Sequence, residues 1–286
     1  MRRYYTTGDM ALRSITYLFL IVAGVLSLAP LVYMASTTFK PLGEVLLYPP
    51  TFFVRRPTWS NLKDLVVIFG EMQAPFTRYI FNSIFVSGGV VIATIFFATL
   101  AAYPLAKHQV PGRNAIFFII VSALMISPHV TLIPNYLILN AMGWLDTYRA
   151  MIIPLVPSAY SLFLMKQFIE PIPGELIESA KMDGAGEWSI FRHVIVPLCK
   201  PAWSTLTIFV FIAVWNNYAH PLIVLKREVM MTLPIVIQRI NSGVIAVNRL
   251  GPAAAGSFLL IVPVIFIFFL LQKYVVETMA YSGLKG

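Results

Sequence analysis

The chain has 286 residues, of which 58% are hydrophobic and only 12% charged, about half the charged share of an ordinary soluble domain. A soluble globule of this length needs far more polar surface to stay dispersed in water, so the composition excludes that class and makes the bilayer the natural solvent. The net charge of +9 does not point to nucleic acid, because no basic cluster is interleaved with aromatics and the Lys- and Arg-bearing loops of a membrane protein account for it.

A helix needs about 20 mostly apolar residues to cross roughly 30 Å of hydrocarbon. Six windows meet that requirement: 13–38, 78–103, 113–139, 147–165, 201–225 and 253–271. The period-two alternation of barrel strands is missing, so the predicted fold class is an all-α integral membrane domain of six transmembrane helices over residues 1–286. The first window follows Arg2, Arg3 and Arg13, but its apolar run is longer than a signal core and lacks a small-residue cleavage site, which predicts a retained span.

Between the first two windows, Pro41, Pro49, Pro50, Pro57 and Pro75 punctuate a long aromatic segment. Within it Ser60 or Asn61 is placed to cap a short helix with Leu62, Leu65, Val66 and Phe69 on one face. Gly89 with Ala93, and Ala98 with Ala102, put small residues at helical spacing, where they let helix backbones approach in lipid. Pro128, Pro134, Pro154, Pro157 and Pro263 each remove a backbone donor and predict bends in the third, fourth and sixth spans. The loop 226–252 is long, with a turn expected at Asn241, Ser242 and Gly243.

The span cores hold no Asp, Glu, Lys or Arg. Carriers driven by ion gradients place ionisable groups at membrane depth, so this inventory argues against a stand-alone secondary carrier. His129 and His220, near the ends of the third and fifth windows, have no second ligand at metal spacing, and Cys199 is the only cysteine. No metal, no catalytic residue and no intrachain disulfide are expected, and a membrane-embedded enzyme is disfavoured. No phosphate-cradling Gly-x-x-x-x-Gly-Lys-Ser/Thr element occurs, so the chain has no ATP site of its own.

Residues 170–197 are of a different kind. From Glu170 to Arg192 they carry five of the twelve carboxylates, including Glu175, Glu178, Asp183 and Glu187. Pro173 suits a helix start and Gly184 its stop, which predicts a short helix, an Asp-Gly turn and a second short helix running to Pro197. Leu176, Ile177 and Ala180 form an apolar stripe too short to span and too charged at its edges to sit in lipid, so a covering partner is expected. At the end of the fifth window, Trp215, Asn216, Asn217 and Tyr218 combine stacking and hydrogen-bonding groups suited to a sugar, or to anchoring at the membrane surface.

Glu178-Ser179-Ala180, Asp183-Gly184-Ala185 and Val194-Ile195-Val196-Pro197 resemble the Glu-Ala-Ala loop of ABC importer permeases, with Ser179 in place of the first alanine. Ala101-Ala102-Tyr103-Pro104-Leu105-Ala106, Pro111-Gly112-Arg113-Asn114, Thr131-Leu132-Ile133-Pro134, Leu145-Asp146-Thr147-Tyr148, Trp215-Asn216-Asn217-Tyr218 and Gly283-Leu284-Lys285-Gly286 are similar to the carbohydrate branch, specifically the smaller maltose-type permease subunit. The resemblance implies a type I ABC importer permease fold and a non-enzymatic role as half of a translocation pathway. It implies a second homologous permease, two ATPase subunits that use the ATP, and an extracytoplasmic sugar-binding protein. The ATPase-coupling residues it implies are Glu178, Ser179, Ala180, Asp183, Gly184, Ala185 and Pro197, and it implies that the companion permease can make most of the sugar contacts, with Trp215, Asn216, Asn217 and Tyr218 touching the solute little. Import of a non-sugar solute is the alternative.

Lys and Arg divide eleven to ten between the two sides, which cannot orient six spans. Placing the loop 170–197 in the cytoplasm, as the resemblance implies, puts both termini there too.

Overall fold

The computed structural model describes the backbone of residues 7–242 and 250–283, with side chains for 12–242 and 250–274. Among the described residues the regular structure is helical throughout. The order is α1 (Thr7–Thr38), α2 (Leu42–Val45), α3 (Ser60–Gly70), α4 (Phe76–Lys107), α5 (Arg113–Ser122), α6 (Pro128–Ala141), α7 (Tyr148–Ile152) and α8 (Ala159–Ile169). There follow α9 (Gly174–Met182), α10 (Glu187–Ile190), α11 (Val196–Leu198), α12 (Lys200–Trp215), α13 (Ala219–Val224), α14 (Leu233–Asn241) and α15 (Leu250–Gly283).

Three helical stretches are long and apolar enough to cross a membrane unbroken: Leu12–Thr38, Phe76–Lys107 and Leu250–Tyr274. The other three apolar stretches are bent pairs. Arg113–Met125 and Pro128–Ala141 meet at 102°, Tyr148–Leu155 and Ala159–Ile169 at 46°, and Glu187–Leu198 and Lys200–Trp215 at 72°. The window 113–139 is therefore not one straight rod. Pro128 lacks an N–H to continue the helix and pushes Ser127 into an extended conformation (φ −63°, ψ 134°), so the chain turns before α6 begins. Likewise the window 201–225 ends as regular helix at Trp215 and resumes as the short α13. Of the predicted turn 241–243, Asn241 closes α14 and Gly243 lies outside the described residues.

One compact unit comprises residues 1–71 and 239–259. The apolar side chains of α1, such as Leu18, Phe19 and Leu26, point outward, as suits residues whose solvent is hydrocarbon. The proline-rich stretch after α1 is held by polar groups. The Glu44 carboxylate accepts from the Arg55 N–H at 2.8 Å, and the Lys40 ammonium donates to the Thr51 carbonyl and lies 4.8 Å from the Tyr33 ring centre. Asn61 is not the helix cap that its position suggests. It is buried, and its amide donates to the carbonyls of Thr38 (2.9 Å) and Lys40 (2.7 Å), groups that the end of α1 leaves without helical partners. On α3 the buried face is Asn61, Leu65 and Phe69, whereas Val66 is exposed.

The second unit comprises residues 72–238 and 260–286. Its centre is α4, which packs along α8 and α12. Two buried polar residues of α4 tie it to distant segments. Asn82 donates to the carbonyls of Val229 (2.9 Å) and Met231 (2.8 Å) and accepts from the Tyr148 hydroxyl (2.7 Å), and the Ser83 hydroxyl accepts from the Leu233 N–H (2.8 Å). The core at the opposite end of α4 joins Ala98, Ala102 and Tyr103 to Met165, Ile169, Ile190, Ile195, Cys199 and Leu206.

Candidate functional site

The polar segment between α8 and α12 folds as a helical hairpin on that core. Pro173 precedes α9, and the helix stops in a turn with two hydrogen bonds: Gly184 N–H to Lys181 O (3.0 Å) and Ala185 N–H to Ala180 O (2.9 Å). This pairing satisfies the last carbonyls of α9 and requires a left-handed residue, which Gly184 supplies at φ +80°. The Asp-Gly turn is thus a helix stop whose angle is set by backbone geometry.

The second limb begins at α10, passes through one π-helical turn (Phe191–Ile195) and ends in α11. Pro197 has no N–H to offer the carbonyl four residues back, and the ladder slips by one residue so that the Val196 N–H bonds Phe191 O instead. The chain then bends by 72° at Cys199 into α12.

The apolar stripe on α9 is covered largely by this chain itself. Ile177 is buried, and Ala180 and Ala185 pack against the same core. The alanines of the motif, Ala180 and Ala185, therefore let the hairpin lie close to its own protein. What faces outward is Glu178, Ser179, Asp183 and Gly184, with Leu176, Met182 and Trp188 as exposed apolar groups. Met182, at 88% exposure, stands at the tip of the hairpin, although nothing in the sequence separates it from a core methionine. Pro197 is exposed on the second limb.

Glu187 joins the two limbs to α4. One carboxylate oxygen meets the Lys181 ammonium at 2.8 Å, and the other accepts from the Tyr103 hydroxyl at 3.1 Å and lies 3.1 Å from His108 Nε2. The Lys181 contact, against the upward push of burial and with help from Tyr103 and His108, holds the Glu187 carboxyl below the usual carboxylate range. On the α8 side, Lys107 donates to the carbonyls of Glu170 (2.8 Å) and Ile172, and Lys166 pairs with Glu170 at 2.9 Å.

The second candidate cluster is dispersed. Trp215 is buried, stacks on Phe211 at 5.3 Å and donates its indole N–H to the Leu260 carbonyl at 2.9 Å, so it offers no ring face to a sugar. Asn217 accepts from the His220 N–H at 3.2 Å at the start of α13, and His220 is itself buried with Nε2 2.9 Å from Ala150 O. The cavity that Trp215 and Asn217 help to line holds about 10 Å³, room for one water and far too little for a sugar ring. Asn216 and Tyr218 are exposed. Among the described residues no group of His, Cys, Asp and Glu is arranged to hold a metal.

Long apolar helical stretches joined by a polar hairpin have the form of a membrane transport protein. Residues 94–281 match the family model described as binding-protein-dependent transport system inner membrane component, and the chain belongs to that family. It is a permease of the ABC importer class and not an enzyme. It is 30% identical over 269 residues to the arabinooligosaccharides transport system permease protein AraQ of Bacillus subtilis, covering 94% of both chains. It is 28% identical over 262 residues to the sn-glycerol-3-phosphate transport system permease protein UgpE of Yersinia enterocolitica, covering 91% of this chain and 93% of that one. In fold it is similar to a chain from the crystal structure of a bacterial ABC transporter involved in the import of the acidic polysaccharide alginate. There the TM-score is 0.79 at 24% identity, covering 95% of this chain and 99% of that one.

Proposed function

We propose that this chain is one of two permease halves of a carbohydrate importer, with both termini in the cytoplasm and the hairpin 170–197 docked on an ATP-hydrolysing subunit. The observation that carries the reading is the division of labour within the hairpin. Its apolar inner face is already buried on α4, α8 and α12, while its tip presents Leu176, Met182, Glu178, Ser179 and Asp183 outward. Exposed apolar groups ringed by carboxylates suit a groove with basic edges on a partner protein, and a helix capped by a left-handed glycine presents them at a fixed angle. The span cores hold no charged relay, so the energy for transport enters through this contact.

The partners are a second permease, a pair of ATPase subunits and an extracytoplasmic sugar-binding protein. A carbohydrate substrate is supported by the likeness to AraQ over nearly the whole chain; the likeness to UgpE makes a polyol phosphate the second reading. Asn216 and Tyr218 are the exposed members of the proposed solute contact. Import of radiolabelled oligosaccharide and of sn-glycerol-3-phosphate by cells expressing the chain with its neighbouring transport genes tests the substrate class. Uptake of the first is expected, and uptake of the second alone would overturn it. Asp183→Arg is expected to abolish import while the permease still inserts, and normal import by that variant would remove the docking role.

A further inference from the structure

We propose that the end of α4 is the receiver of the coupling motion, through Tyr103, Lys107 and His108 acting as positioning residues. The inference rests on the hairpin being the docking element. By chain connectivity alone, a push on the hairpin would reach the membrane through α8 before it and α12 after it. The side-chain contacts add a third route. Within about a turn and a half, the end of α4 presents a hydroxyl at 103, an ammonium at 107 and an imidazole at the capping position 108, each directed at the hairpin.

The three contacts divide between the two limbs. Lys107 holds the entry to α9 through the carbonyls of Glu170 and Ile172. Tyr103 and His108 hold the exit limb through Glu187, which in turn is tied across the hairpin to Lys181. A displacement of the tip is therefore shared by both limbs and delivered to α4. The small residues below these contacts fit that role: Ala98 and Ala102 are buried in the shared core, so the end of α4 sits directly on the helices it must move with. Charge-assisted hydrogen bonds resist displacement about twice as strongly as neutral ones, which suits a joint that carries load. Within the run from Ala101 to Ala106, Tyr103 thereby gains a task that its place in an apolar helix does not announce.

The test uses the whole transporter with its own ATPase and binding protein in proteoliposomes, reading solute imported per ATP hydrolysed. Lys107→Met and Glu187→Gln each weaken more than one contact and are expected to lower that ratio by about tenfold or more, tenfold being the factor for one charge-assisted hydrogen bond, with the ATPase still bound. Lys107→Arg keeps the donors and is expected to restore it. Tyr103→Phe removes one hydroxyl, is the variant least able to disturb folding, and is expected to lower the ratio by a smaller factor. A purely structural role would lower hydrolysis and import together and leave the ratio intact. An unchanged ratio in Tyr103→Phe and in the two charge variants, with the ATPase bound, would overturn the proposal and spare the docking reading. Failure of the unmodified permease to bind the ATPase would overturn the docking reading instead.

Discussion

At the scale of single residues, Gly184 and Asp146 show how backbone conformation selects side chains. Both hold positive φ, at +80° and 59°. A β-branched residue at 184 would meet the left-handed penalty, about 1–2 kcal/mol, although space around its Cβ is open. Gly184→Val is thus expected to loosen the turn and reduce import-coupled ATP hydrolysis while leaving the amount of permease in the membrane unchanged, as immunoblots of membranes would record. Asp146 is a clasp: its carboxylate accepts from the N–H groups of Lys226 (2.6 Å) and Arg227 (3.0 Å). Burial pushes the carboxyl upward, but the N–H donors of Arg227 and Lys226 and their charges outweigh it, so the group is held below the ordinary carboxylate range. Since the folded value lies below the unfolded one, the clasp stabilises the protein above the ordinary carboxylate pKa and is lost as pH falls through the folded value. Asp146→Asn keeps an acceptor and tolerates the left-handed backbone. It is expected to lower the thermal midpoint in detergent near neutral pH, with the gap to the parent protein closing below about pH 4.

At the scale of elements, polar side chains finish what helices leave open. Asn61 satisfies carbonyls at the end of α1, and Gly251 leaves the room it needs, since a Cβ there would stand 2.0 Å from Asn61 Oδ1. Asn61→Ala leaves those carbonyls buried without partners, at a cost of about 1–3 kcal/mol, and is expected to lower the midpoint of thermal unfolding in detergent. Removal without any shift would show that water reaches them. The same elements show what was legible beforehand. The six apolar windows, the stop at Gly184 and the break at Pro128 follow from hydropathy, glycine and proline, because those signals are local. The inward turn of Ile177 and Ala180, the burial of Trp215 and the role of Asn61 were not legible. Each depends on which distant segment comes to lie beside the residue, and the sequence periodicity of α9 is the same whether its apolar side meets its own core or another chain. Glu187 was visible only as one carboxylate among five; its partners at 103 and 108 lie some 80 positions away.

At the scale of the whole molecule, six apolar stretches and a polar hairpin suit the proposed pathway driven by a separate motor. The division follows from solvent: the bilayer excludes charged groups from the spans, so the residues proposed to meet a soluble partner collect in the connection that carries five carboxylates. The orientation that charge counting leaves undecided becomes a matter of where that hairpin lies. Cys199 is the only cysteine and is buried, so a Cys199→Ser background allows single cysteines to be placed at will. Met182→Cys in that background is expected to react with a membrane-impermeant maleimide only after cells are opened, and labelling of intact cells would reverse the topology. The most direct test of the account is site-specific photo-crosslinking from position 182 in the assembled transporter. A docked hairpin gives an adduct with the ATP-hydrolysing subunit whose yield changes on nucleotide binding; an adduct with the extracytoplasmic binding protein, or none with the ATPase, would contradict docking.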